Sequence, residues 1–112
     1  MADAAAKKIE ILPGQEADLS AATYRIYGES HTIGNALRWM IMKNPKVEFC
    51  GYSVPHPSEN HIHLRIQMYD NLSSLDALLA ALDNLDDLCK TIDDAYTLSL
   101  RRDKYEVWEE KS

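Results

Sequence analysis

The sequence predicts a two-layer α+β domain: a four-stranded sheet with two helices on one face, the second helix long. Three observations point to it. Residues 61–69 alternate, with Ile62, Leu64, Ile66 and Met68 facing one way and His61, His63, Arg65 and Gln67 the other, the pattern of a sheet with one buried and one wet face. Ile33, Ala36, Leu37, Met40 and Ile41 recur at helical spacing. From Ser73 to Ser112 there is neither Gly nor Pro, and Leu75, Leu78, Leu82, Leu85, Cys89, Ile92 and Tyr96 follow spacings of three and four.

Taken in order, residues 1–6 form a small-residue tail for which disorder is expected, and 7–112 form a single domain. Lys8 to Leu12 alternates as a short strand and is ended by Pro13-Gly14. Thr23 to Tyr27 alternates again, with Tyr24 and Ile26 on one face, and Gly28-Glu29-Ser30 turns into the first helix. Thr32 is its expected N-cap, since a hydroxyl can accept from a free N–H of the first turn. Asn44-Pro45 ends it, because Asn tolerates a left-handed cap and Pro cannot continue a helix. Val47 to Val54 reads as a third strand, Pro55-His56-Pro57 forces an extended turn, and the strand from His61 follows.

Ser73-Ser74-Leu75-Asp76 fits a capping box with Ser73 as N-cap and Asp76 at N3. A helix running from there to near Tyr105 would be about 45–50 Å long at ~1.5 Å per residue. A compact domain of this size has a radius of gyration of only ~13 Å. The helix therefore overhangs its own sheet, and from about Leu85 on its stripe needs apolar partners elsewhere. The alternative is a break near Asp86-Asp87 with two shorter helices folding back.

The first helix has a second apolar side. Taking Ile33 as zero, Met42 lies about 180° away and Trp39 about 240°. Either another chain covers that side or the second helix folds over it.

Composition narrows the function. Of 112 residues, 46% are hydrophobic and 27% charged, with a formal net charge of −6. Lys and Arg are scattered, which disfavours grip on duplex DNA by a basic stripe. No run is long enough to span a membrane, and no secretion signal is evident at Met1 to Ala6. Cys50 and Cys89 are expected as free thiols packed like small hydrophobes.

No catalytic set stands out. His61 and His63 share a strand face as two zinc ligands might, but both are expected on the wet face without further ligands at metal spacing. Cys50 lacks a neighbouring helix N-terminus or base to stabilise a thiolate. Thr32 to Asn35 could hold an anion at a helix start, but it lacks the glycines of a nucleotide loop, and Gly34 is expected instead to admit another backbone. Most of the cluster Asp83, Asp86, Asp87, Asp93 and Asp94 falls on the outer side of the second helix, as a solvated face or a rim of charge that steers a basic partner. No catalytic, metal-binding or cofactor-binding residue is assigned.

His31-Thr32-Ile33-Gly34-Asn35-Ala36-Leu37-Arg38 resembles the α motif of the RNA polymerase α dimerisation family. Asn44 to Asn60 and Leu64-Arg65-Ile66-Gln67 sharpen the resemblance, which spans roughly residues 9 to 105. Arg38 to Lys43 and Phe49-Cys50 are more similar to the small α-like branch shared by eukaryotic polymerases I and III than to its polymerase II counterpart. Ile33 and Met68 depart mildly, standing where Leu and Thr are commoner.

The resemblance implies an α-like dimerisation fold and a non-catalytic assembly subunit in the nucleus, including the nucleolus. Its implied partners are the larger α-like subunit and the two large catalytic subunits, with no nucleic acid, membrane or small-molecule substrate. The residues expected at partner interfaces are His31, Thr32, Gly34, Asn35, Arg38, Trp39 and Met42 of the first helix, and Leu82, Leu85, Cys89, Ile92 and Tyr96 of the second. A free-standing homodimeric adapter and the corresponding polymerase II subunit are the alternatives.

Overall fold

The computed structural model describes residues 7–14 and 18–102. The expected N-terminal tail, and the end of the second helix near Tyr105, lie outside them. The elements are β1 (Ile9–Ile11), β2 (Ala21–Tyr27), α1 (His31–Met42), β3 (Val47–Ser53), β4 (His61–Met68) and α2 (Ser74–Arg102). The sheet runs β1-β2-β4-β3 and every pairing is antiparallel. Both helices pack on one face, as the sequence predicts.

Period-two alternation sets what that face buries. Ala22, Tyr24 and Ile26 of β2 and Ile62, Leu64 and Ile66 of β4 are buried, and β2 and β4 are in register, Tyr24 opposite Leu64 and Ile26 opposite Ile62. Leu37 and Ile41 of α1 and Ala77, Leu78 and Ala81 of α2 close over them. Met40 of α1, partly buried, packs against the same core.

The start of α2 is clamped to the sheet. The Ser74 hydroxyl donates to the Leu19 carbonyl, so the Tyr24 hydroxyl, 2.7 Å from Ser74 Oγ, donates to Ser74 in turn. The Ser74 backbone N–H also donates to Leu19. Leu19 lies in the left-handed region at φ 62° to present that carbonyl. Ser73 caps the helix, its hydroxyl accepting from the Asp76 N–H at 3.3 Å, as the capping box predicts. The chain arrives there through Asp70 and Asn71, both at positive φ, a region that Asp and Asn enter more readily than most residues.

The caps of α1 differ from expectation. Ser30, in extended conformation, is the N-cap and makes no side-chain cap bond; its carbonyl takes the Gly34 N–H at 2.9 Å. Thr32 is thus inside the first turn and exposed. At the other end Lys43 is the C-cap with right-handed dihedrals, and Asn44 closes a tight turn onto Ile41 rather than adopting a left-handed cap. The Asn44 side chain instead accepts from the Lys46 N–H, at 3.0 Å.

From that clamp α2 runs unbroken for 29 residues, about 43 Å at ~1.5 Å per residue. The alternative of two shorter helices is not what forms. The radius of gyration, 18.6 Å, exceeds the ~13 Å of a compact domain this long because α2 leaves the sheet behind.

Candidate interaction surface

Along α2 one stripe changes environment partway. Leu78 and Ala81 are buried, and Leu82 and Leu85 are half-buried against the core. The same stripe then continues into solvent: Ile92 is 61% exposed and Tyr96 65%. Leu100, one spacing beyond Tyr96 and 40% exposed, extends it; the sequence reading stopped one turn short. Cys89 is exposed, which corrects the expectation that both cysteines pack as small hydrophobes; it lies on the apolar face but past the sheet. The opposite side is charged, with Lys90 Nζ 3.0 Å from Asp86. No helix among the described residues is long and apolar enough to cross a membrane.

On α1, Trp39 and Met42 are 48% and 45% exposed. Among the described residues, the second helix shares the core with Ile41 and Met40, and about half of the Trp39 surface stays exposed. What lies on the indole is the Lys43 ammonium, 4.2 Å from the ring centre, a cation–π contact. Arg38 donates to the Asn35 side-chain carbonyl at 2.9 Å, which fixes the guanidinium along the helix surface. His31 and Thr32 are exposed at the helix start, and His31 Nδ1 is 3.0 Å from the Tyr52 hydroxyl.

Contrary to the sequence expectation, what Gly34 admits is a side chain and not a backbone: it is buried under the Tyr52 ring of β3. A Cβ there would sit 2.7 Å from Tyr52 Cδ2. Gly34 therefore contributes by seating α1 on β3, not by offering surface. Gly34→Ala should destabilise the fold by about 1–2 kcal/mol, overpacking outweighing a helix-propensity gain of about 1 kcal/mol. In a Tyr52→Ala background the sign should reverse and the alanine should stabilise. Thermal melts of the four proteins check this; the same sign in both backgrounds would refute it.

The helix-free face of the sheet is less wet than alternation suggests. His61 is buried, only 8% exposed, with ring centres of Tyr27 and His63 at 5.9 and 5.3 Å. Arg25 organises the rest, donating to Glu10 at 3.1 Å, to the Tyr27 hydroxyl at 3.3 Å and, through Nε, to His63 Nε2 at 3.2 Å. An acceptor role at Nε2 places the His63 proton on Nδ1. Partial burial, then the charge of Arg25 and the proximity of His61, hold the His63 pKa below its ordinary value. A metal ion at Nε2 would displace a guanidinium and face its charge. Among the described residues no three His, Cys, Asp or Glu converge on a point. Cys50 is buried in the core and its thiol is pushed up to about 11 by burial, so it is protonated at neutral pH.

A family model described as the RNA polymerase Rpb3/Rpb11 dimerisation domain matches residues 21–95. The chain is 50% identical over 101 residues to the DNA-directed RNA polymerases I and III subunit RPAC2 of Schizosaccharomyces pombe, covering 90% of this chain and 81% of that one. It is 47% identical over 96 residues to the subunit of the same name from Saccharomyces cerevisiae, covering 85% and 68%. In fold it is similar to DNA-directed RNA polymerase subunit L from Thermoplasma acidophilum, with a TM-score of 0.71 at 16% identity over 84% of this chain and 89% of that one.

Proposed function

We propose a function from one premise: the chain belongs to the RNA polymerase Rpb3/Rpb11 dimerisation-domain family. It is a non-catalytic assembly subunit of DNA-directed RNA polymerases I and III, and it works in the nucleus as a partner within that complex. The names of the two fungal relatives favour polymerases I and III over polymerase II.

The finer reading is a heterodimer with the larger α-like subunit that supports the two large catalytic subunits, in the nucleolus as well as the nucleus. One observation carries it: the apolar stripe of α2 passes from a packed setting at Leu78 to an unpartnered one at Ile92 and Tyr96 without changing face. Burying about 100 Å² of apolar surface is worth roughly 2.5 kcal/mol, so a stripe of this kind favours association strongly. The exposed side of α1, from Asn35 to Met42, is the second contact. Nothing in the reading needs a cofactor, a small molecule or nucleic acid.

The test is purification of a tagged chain from its own cells, with mass spectrometry of what accompanies it. The larger α-like subunit and both large polymerase I and III subunits should be recovered near stoichiometry. Recovery of copies of this chain alone would make it a homodimeric adapter, and recovery of polymerase II large subunits would move it to that enzyme.

A further inference from the structure

The face of the sheet opposite the helices has an unusual row. Register places Thr23, Arg65 and Gly51 side by side across β2, β4 and β3, with Arg25, His63 and Ser53 in the next row on the same face. A shallow, open hollow of about 420 Å³ lies over this row, its lining including Phe49, Gly51, Tyr52, His63 and Arg65. The Phe49 ring leans across Gly51; a Cβ at Gly51 would lie 2.9 Å from Phe49 Cζ. Phe49 is nevertheless 47% exposed.

The two arginines of this face differ. Arg25 has Glu10 as counter-ion. Arg65 donates to Gln67 Oε1 and to Thr23 Oγ1, each at a long 3.4 Å and each neutral. The hollow thus holds a cation with weak, uncharged partners beside an open aromatic ring, in a chain whose net charge is −6. A guanidinium fork in that state matches a carboxylate.

We propose that this hollow docks an extended acidic segment of a protein partner, one carboxylate on Arg65 and an apolar side chain on Phe49. β3 is an edge of the sheet, so an extended segment laid beside it can also use main-chain hydrogen bonds. The register shift between Val47 and Phe49 twists only the start of that edge. A phosphate backbone fits less well: a nucleic-acid track needs several free cations, and Arg25 is already paired with Glu10. The surface lies on the opposite side of the sheet from α1 and α2, so this docking stands apart from the heterodimer reading.

The experiment uses the full chain, isotope-labelled, with three probes: a short peptide alternating Glu and Val around a central Phe, the same peptide with Lys for Glu, and a short oligo-dT. The acidic peptide should bind and move the amide signals of Phe49 to Ser53, His63 and Arg65. Arg65→Gln should weaken it at least about tenfold, and Arg65→Glu should turn the preference to the Lys peptide. Phe49→Ser, at an exposed position, should also weaken it while leaving the spectrum dispersed, which covers the case in which an Arg65 variant misfolds. No binding of the acidic peptide, equal binding of the Lys peptide, preference for oligo-dT, or shifts confined to α2 would each overturn the proposal.

Discussion

An Ile92→Asp, Tyr96→Asp double variant will fold like the parent chain and fail to enter the polymerase. Both side chains stand beyond the reach of the sheet, 61% and 65% exposed. Substitutions at such positions usually change stability by no more than about 0.5 kcal/mol each, and two carboxylates four residues apart on a helix repel by only a few tenths. In the assembled state the same carboxylates would be enclosed by apolar partner surface. An uncompensated buried charge costs about 3–5 kcal/mol, so association should weaken at least about a hundredfold. Leu85 is the poorer choice although it lies on the same stripe: it packs against the chain's own core, so a charge there would damage fold and assembly together. Thermal melting of the isolated variant, set beside its recovery with the other subunits from cells, separates the two effects. Parental melting with parental recovery would show that the distal stripe touches no partner.

That the stripe could be found at all follows from how α2 is encoded. The absence of Gly and Pro after Ser73, with apolar residues every three or four positions, predicts one helix, and its length alone says it outruns a small sheet. The same spacing misplaces Cys89, because periodicity gives the side of a helix a residue occupies but not what lies opposite. The sheet shows a parallel limit. Alternation in β4 separates Ile62, Leu64 and Ile66 from His61, His63 and Arg65 correctly, and the buried set follows. It does not foresee that Tyr27, paired with His61 by register, shields that histidine from water.

Other misses are tertiary in origin. Ser30 and Thr32 both carry a hydroxyl that can cap, and Ser30 takes the N-cap position through its backbone without using its side chain, so side-chain capping chemistry does not mark this helix start. The neighbour of Gly34 is Tyr52, on the next strand, and only the placement of α1 on β3 brings the two together. Phe49 and Arg65 drew no functional reading because their juxtaposition across Gly51 is a matter of strand register. A strand sequence lists which residues share a face; pairing decides which of them meet.

The largest remaining effect is expected at α1, where Trp39→Ala plus Met42→Ala should leave the isolated fold nearly unchanged and weaken assembly by at least about 2 kcal/mol, a hot-spot-sized loss. Among the described residues, α2 packs on the Met40–Ile41 side of α1 and the indole stays 48% exposed, which favours a partner over α2 as its cover. The buried side of this helix is Gly34, Leu37 and Ile41, so truncating Trp39 and Met42 opens no cavity in the core. What the chain itself loses is the cation–π contact of Lys43 with Trp39, about 0.5–1 kcal/mol at an exposed site. An indole held by a lysine and flanked by Arg38 is also partly ordered before any partner arrives, which lowers the entropy cost of docking it. A Lys43→Ala variant then serves as the control: it removes the cation and keeps the ring, so it should cost much less in assembly than the loss of Trp39 and Met42. If the double truncation melts well below the parent while its folded fraction assembles normally, Trp39 serves the fold and not the interface. If Lys43→Ala alone matches the full loss, the ammonium and not the indole makes the contact.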